Sequence, residues 1–435
     1  MKPSFQISLL SLVGLVGLGS AQAATLREFL TALEQNSSLR GASLGAAAAQ
    51  SQLEATRGDF ELGFQGGYGL SELKTTPGDA LSTQNSTQLG LSLSFRPFLY
   101  GDTQDAYTRA ALQARQARAG YRSTLAGLQI QAVLANEQLR LATEALLSST
   151  VGVELAQTLL NVTQTQLERG AVSPADLREA QSRNSEALER LATGGENLRL
   201  AQTSLESLVG KATLDAAPEF ALPVGKTSEE EGAEVALENA RLLYAQAQRA
   251  ALPSGNIGYT LNTSDSTSVS VSLESRTFQP KLSFSYADPS QSTRQISVNP
   301  PVSVSPTQSV QLGLAWSFGP SALTALSSAE QNLRSAEASL EGARQNARLT
   351  RDRLTVALDQ AGRNVVLKQS ALENAQKKLA EALERQKLGL ASPLVALSAS
   401  SELSAAQIAL SSAQLDALQK RLEFYRTYSV PLIER

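Results

Sequence analysis

Small and apolar side chains recur every three or four residues from Leu125 through Leu128, Ala132, Ala135, Leu139, Ala142, Leu146, Ser149, Val153, Ala156, Leu160 and Thr163 to Leu167. That alternation is a heptad seam on a long helix. Leu134, Leu141, Leu155 and Val162 form a second stripe, so this helix packs against two neighbours, as in a closed ring of helices. From Gly101 to Arg169 it is about 100 Å long at 1.5 Å per residue. Leu177, Leu191, Leu198 and Leu205 share one heptad position in the next helix, and Leu403, Leu410 and Phe424 share one near the C-terminus. A different period appears elsewhere. Phe60, Leu62, Phe64, Tyr68 and Leu70 alternate with small or polar residues, and so do Leu89, Leu91, Leu93 and Phe95. Ile257/Tyr259/Leu261, Val269/Val271/Leu273 and Leu282/Phe284/Tyr286 repeat the pattern, and Val310 to Phe318 completes it. Period two predicts strands with one apolar and one polar or small face. Their length, about 9–11 residues, is that of a membrane-spanning barrel strand. Ser71 to Ser86 and Asp288 to Thr307 read as polar loops.

Punctuation reveals a duplication. No proline lies between Pro97 and Pro174 or between Pro320 and Pro393. Proline breaks helix interiors, so these spans hold the long helices. Each ends in a similar turn, Arg169-Gly170-Ala171-Val172-Ser173-Pro174 and Leu388-Gly389-Leu390-Ala391-Ser392-Pro393. One constant offset in numbering superimposes Gly170 on Gly389, Ser173 on Ser392 and Pro174 on Pro393. The same offset lays Leu139, Leu146, Val153 and Leu160 on Leu358, Val365, Leu372 and Leu379. A shared turn and heptad phase at one offset mark an internal repeat. The glycines are C-terminal stops, the serines N-caps, and each proline sits at the first position of the outgoing helix. Each repeat is thus an antiparallel helical hairpin. A softer joint, Gly210 to Ser228, separates the repeats. Further helices are expected at Thr25–Arg57 and Glu229–Leu252.

The N-terminus adds a compartment. Lys2, the apolar run Ile7–Leu18 and Ala21-Gln22-Ala23 have the layout of a secretory signal peptide. No 18-residue apolar stretch is expected after it, so entry into a membrane would be by strands. Composition then removes whole classes of chemistry. The chain has no His and no Cys. That leaves no disulfide framework, zinc finger, Cys nucleophile or Ser–His–Asp triad. A net charge of −3 over 435 residues gives no footprint for nucleic acid. No constellation reads as catalytic, cofactor-binding or metal-binding. Glu229-Glu230-Glu231 opens a helix, where negative charge complements the macrodipole. Glu168, Arg169, Glu384 and Arg385 flank the two turns, either as solvated helix-end charges or as ion pairs gating a tunnel mouth. Asp176 is either a first-turn acid or, if three copies meet in a lumen, a cation-selective ring. Trp316, Tyr68 and Phe95 read as lipid-facing or interfacial. Alternating strands alone favour a soluble sandwich over a barrel with a wet lumen, and the flanking helices reverse that; too few strands are present in one chain to close either, so an oligomer completes the sheet.

The order signal, helix, strand pair, hairpin, joint, helix, strand segment, hairpin resembles the TolC-like outer-membrane efflux protein family over nearly the whole chain after the signal. The turns at Gly170–Ser173 and Gly389–Ser392 look like the family's Gly-x-x-Ser tip, and Phe98-Leu99-Tyr100-Gly101 like its aromatic-then-Gly passage from strand to helix. The resemblance implies an α+β membrane protein: long antiparallel helical hairpins forming an α-barrel tunnel, plus a β-barrel completed by trimerisation. In those terms residues 1–23 are the signal peptide, 24–58 a helix and 59–97 a first transmembrane strand pair. Residues 98–209 are the first hairpin with its tip at 170–175, and 210–228 the joint. Residues 229–254 are a helix, 255–319 a second strand segment, and 320–435 the second hairpin with its tip at 389–394. It further implies a homotrimer in outer-membrane lipid, with tips at Gly170, Ser173, Pro174, Gly389, Ser392 and Pro393 docking a periplasmic adaptor coupled to an inner-membrane pump, and no cofactor. Two departures stand out. The second strand segment is long, leaving four or six strands per chain open against a usual total of 12. The second tip has Val395 where the first has Asp176, so an acidic tip carries over to the first hairpin only. Two other classes compete with the duct. A periplasmic adaptor would have one hairpin and separate small β domains, and a structural coiled coil needs no membrane-length strands.

Overall fold

The computed structural model describes residues 25–58, 60–73, 82–95, 99–214, 220–264, 267–291, 307–316, 319–388, 390 and 393–433. The signal-like segment 1–23 lies outside them. Helix α1 (Leu26–Thr31), a 3₁₀ turn (Ala32–Gln35) and α2 (Ser37–Thr56) precede strands β1 (Phe60–Leu73) and β2 (Ser82–Phe95). Then come α3 (Asp102–Glu168), α4 (Pro174–Val209) and α5 (Ser228–Ala250). Four strands follow: β3 (Ser254–Ser264), β4 (Thr267–Glu274), β5 (Pro280–Gln291) and β6 (Thr307–Ala315). The chain closes with α6 (Pro320–Lys387) and α7 (Pro393–Tyr428). The offset of the sequence repeat carries α4 onto α7 end to end and lays α3 closely on α6.

Several expectations are corrected. The helix expected over Thr25–Arg57 breaks at Asn36, whose Oδ1 accepts the Ser38 N–H at 3.0 Å. Asparagine competes with the helix for its own backbone and restarts it as a cap. The supposed loop Ser71–Ser86 is strand at both its ends, since β1 runs to Leu73 and β2 begins at Ser82; residues 74–81 lie outside the described residues. The backbone of β5 likewise continues to Gln291, into the segment read as a loop from Asp288. Backbone pairing extends these strands past the end of their apolar alternation, because the ladder does not need apolar side chains. Among the described residues α7 is long and apolar enough by composition to cross a membrane, contrary to the sequence expectation. Part of its apolar surface is buried, at Ala399, Leu410, Ala413, Leu422 and Phe424.

The described residues divide into two compact units. One takes those before 44, those in 119–228 and those after 344; the other takes 44–118 and 229–344. The core of the first gathers Phe29 and Leu33, Ile130 and Val133 of α3, Leu205 and Val209 of α4, Phe220, and Leu422 and Tyr425 of α7. Polar bonds pin irregular backbone to it. The Asn136 Nδ2 donates to the Leu214 carbonyl at 2.7 Å, and its Oδ1 accepts the Leu214 N–H at 3.0 Å. The Gln129 Oε1 accepts the Leu432 N–H. The Tyr425 hydroxyl donates to the Ala221 carbonyl. Among the described residues the joint is thus held at Leu214 and at Phe220–Ala221, with Phe220 in edge contact with Tyr425. In the second unit a single antiparallel sheet has the strand order β1-β2-β5-β4-β3-β6. The six described strands select the larger of the two counts left open by the sequence.

Candidate functional site: a two-faced sheet and the hairpin tips

Directly paired residues lie on the same side of a sheet. Following the register across all six strands gives one row of Leu62, Leu93, Leu282, Val271, Tyr259 and Val310. The next row on that side is Phe64, Leu91, Phe284, Val269, Leu261 and Gln308. One residue along, the chain turns to the other side: Gly63, Ser92, Ser283, Ser270, Thr260 and Ser309. One face is therefore an apolar band and the other a surface of small hydroxyl and glycine positions. The apolar face is left uncovered by the described residues. Phe64 and Leu312 are each 77% exposed, and Leu314 79%. Covering such a side chain is worth about 1.5–3 kcal/mol, so this face demands an apolar medium.

The polar face is concave near the helices. A hollow of about 580 Å³ is lined there by Glu61, Ser92, Ser94, Asn256, Glu274 and Lys281, among others. Glu61, Glu274 and Lys281 carry its charges. Sequence reading passed over Lys281 and Glu274. The only available signal was their position out of phase with Leu282 and Leu273. At the same end, Phe95 and Trp316 are exposed, and the Trp316 Nε1 donates to the Ala251 carbonyl at 3.2 Å. Tyr68 lies in β1, with its side chain outside the described residues. Exposed aromatics of this kind, with one polar handle satisfied, suit a membrane–water boundary.

The passage from β2 into α3 is built around one glycine. Gly101 has φ +54°, and a Cβ there would lie 1.9 Å from the Arg276 carbonyl oxygen. Asp102 donates its N–H to that same oxygen at 3.3 Å. Tyr100 meets Phe278 edge-on, with centroids 5.2 Å apart. Asp105, buried in the first turn of α3, pairs with Arg249 in the last turn of α5. Phe98 lies outside the described residues.

The hairpin tips share one hydrogen bond. At the first, Gly170 (φ +70°) donates to the Leu167 carbonyl and Ala171 to the Gln166 carbonyl, both at 2.9 Å. This is a Schellman stop, which satisfies carbonyls left over at the helix end. At the second, Leu390 donates to the Arg385 carbonyl at 2.8 Å, the bond that the repeat pairs with Ala171 to Gln166. Gly389 and Ser392 lie outside the described residues; Pro393 opens α7. Ser173 is the N-cap of α4, with Pro174 at its start. Its hydroxyl accepts the Asp176 N–H at 3.3 Å, and the Asp176 carboxylate accepts the Ser173 N–H and hydroxyl, each at 2.8 Å. The backbone bond first, and the hydroxyl second, hold the Asp176 carboxyl below its ordinary pKa. Asp176 is thus half of a capping box, with one carboxylate oxygen taking both bonds from Ser173. Glu168, Arg169, Glu384 and Arg385 are exposed, and among the described residues none of the four makes an ion pair. Among the described residues no group of three or more acidic side chains is placed to hold a metal ion.

No protein-family model matches this sequence, and no curated protein matches it. Solved structures do. The outer membrane protein VceC from Vibrio cholerae matches with a TM-score of 0.64 and 17% identity, over 94% of this chain and 97% of that one. The open-state MtrE outer membrane channel of Neisseria gonorrhoeae matches at 0.64 and 19%, over 94% and 89%. The Campylobacter jejuni CmeC outer membrane channel matches at 0.63 and 16%, over 94% and 86%. The chain has the fold of the TolC-like outer-membrane channels.

Proposed function

We propose that this chain is a protomer of a trimeric outer-membrane export duct, passive and without cofactor, acting with a periplasmic adaptor and an inner-membrane pump in a tripartite efflux or type I secretion system. The observation that carries the reading is the sheet with two consistent faces. Six strands present an apolar band that none of the described residues covers, backed by a hydroxyl-rich face that is hollowed near the helices. An apolar exterior and wet interior are what a membrane barrel requires. Among the described residues each end of this sheet is an open edge, and a barrel removes edges only by closing. The helices support the same oligomer. Leu349, Val356, Val366 and Leu367 of α6 are exposed, as is Leu147 of α3. Apolar helix surface at these spacings is suited to helices of further copies. Ala and Ser at the seams let such helices approach closely.

In this duct the driving energy comes from the pump, and the wall only has to be wet, continuous and closable. The tips at Gly170–Pro174 and Gly389–Pro393 are the docking ends for the adaptor. Glu168, Arg169, Glu384 and Arg385, which make no ion pair among the described residues, are available to pair across copies and hold the mouth shut. The test is extraction from envelopes in detergent, then oligomeric mass and planar-bilayer conductance. A membrane-bound trimer, three times the 46.0 kDa chain less its signal, with ion conductance supports the duct. A water-soluble monomer or dimer without conductance overturns it.

A further inference from the structure

The duplication evident in the helices also runs through the sheet, and it isolates a hairpin that has no counterpart. In the first repeat α2 is followed by β1 and β2, which pair from Phe60↔Phe95 upward. In the second repeat α5 is followed by β3, and α6 is preceded by β6; these two pair from Ser254↔Ala315 upward. β1 begins four residues after α2 ends, as β3 does after α5. Thus β3–β6 is the repeat of β1–β2. Residues 57–101 separate the helices in the first half and 251–319 in the second, a difference of about two dozen residues. That excess is β4, the turn Ser275–Thr277, and β5. The inserted pair does not hang off the sheet. It sits between the two repeat hairpins, β5 on β2 and β4 on β3.

We infer that the inserted β4–β5 hairpin is part of the barrel wall, so that three chains close an 18-stranded barrel by pairing β6 of each copy with β1 of the next. The inference rests on the trimeric duct reading. Three observations carry it. The rows of apolar side chains pass through β4 and β5 without a change of level, from Leu93 to Leu282 to Val271 to Tyr259. The hydroxyl rows on the other face do the same, from Ser92 to Ser283 to Ser270 to Thr260. Finally, every neighbouring pair is antiparallel and the strand number is even, so the outer strands β1 and β6 run oppositely. Copies related by rotation then join antiparallel at every seam, with no edge left. At a strand spacing of about 4.8 Å and a tilt of about 40°, 18 strands give a barrel about 36 Å across, against about 24 Å for 12. Barrels of 16–18 strands leave an open aqueous channel.

The chain contains no cysteine, so single substitutions report cleanly. In the trimer reconstituted in lipid vesicles, S270C on β4 is compared with V271C, and S92C with L91C on β2 as the reference spanning strand. The expected result is the same alternation in both strands: the serine positions react with a membrane-impermeant maleimide, and the apolar positions react only with a lipid-partitioning one. Electron microscopy of the unmodified trimer is expected to show a β-ring about 36 Å across. A trimer in which both β4 positions react from water, or whose ring is about 24 Å, overturns the 18-stranded barrel and leaves the duct standing. A protein that is not a membrane-inserted trimer, by mass before any labelling, overturns the duct and this inference with it.

Discussion

Two glycines with similar backbone angles carry different loads. Gly101 and Gly170 both have positive φ, +54° and +70°. An added Cβ at Gly170 meets nothing within 4 Å, whereas at Gly101 it runs into the Arg276 carbonyl. G170A therefore costs only the left-handed penalty, about 1 kcal/mol. G101A adds a backbone collision that cannot be relieved by a rotamer, and we expect about 3 kcal/mol or more. Denaturant unfolding of the two variants in detergent checks the order; equal losses would contradict it. Asp176 makes a prediction in pH. Its folded-state pKa is depressed, so the capping contribution is complete above the ordinary carboxylate value and is lost as pH falls through the folded one. Amide exchange in the first turn of α4 should accelerate as pH is lowered through that range, beyond the intrinsic pH dependence of exchange, and D176N should remove the added change. The tip's Gly, Ser and Pro were legible because each has a specific terminal role. The carboxylate's engagement with Ser173 was not, since spacing alone fits both a capping box and a lumenal acid.

Elements differ in how plainly they announce themselves. The four long helices of the two hairpins were readable from heptad phase and the absence of proline, two signals that accumulate over dozens of residues. The strand ends were not. Residues such as Ser82–Ser86 and Asp288–Gln291 carry no apolar alternation, and only the partner strand's backbone recruits them. The break at Asn36 was missed because Thr25–Arg57 was read as one helix from its place ahead of the strands, as the match of Glu229–Leu252. Burial reverses expectation in the joint, where Asn136 satisfies both backbone groups of Leu214. N136A should cost about 2–3 kcal/mol, because it orphans a partly buried donor and acceptor together. Equilibrium unfolding measures this. On the sheet, L282R places a charge on the apolar face and S283R on the polar face of the same strand. The first should cost about 2–4 kcal/mol in lipid and the second far less. Folding titrations into bilayers distinguish the two; similar costs would argue against a lipid-facing band.

At the scale of the whole molecule, the exposed apolar surface on α6 and the uncovered face of the sheet make the single chain an incomplete object. Neutralising the tip charges tests the proposed mouth. E168Q combined with E384Q should leave trimer mass unchanged while raising single-channel conductance, as pairs across copies are lost. An unchanged conductance would return these residues to the role of solvated helix ends. By itself the sequence determined the duplication, the helical hairpins, the two-faced strands and the absence of His and Cys chemistry. Periodicity and composition are local properties, and each repeat states them again. Only the tertiary structure decided which strands neighbour which. Strand order depends on backbone pairing between segments that belong to different repeats, as between β2 and β5, and nothing in a period-two pattern names its partner. That pairing places the inserted hairpin inside the sheet, β5 on β2 and β4 on β3.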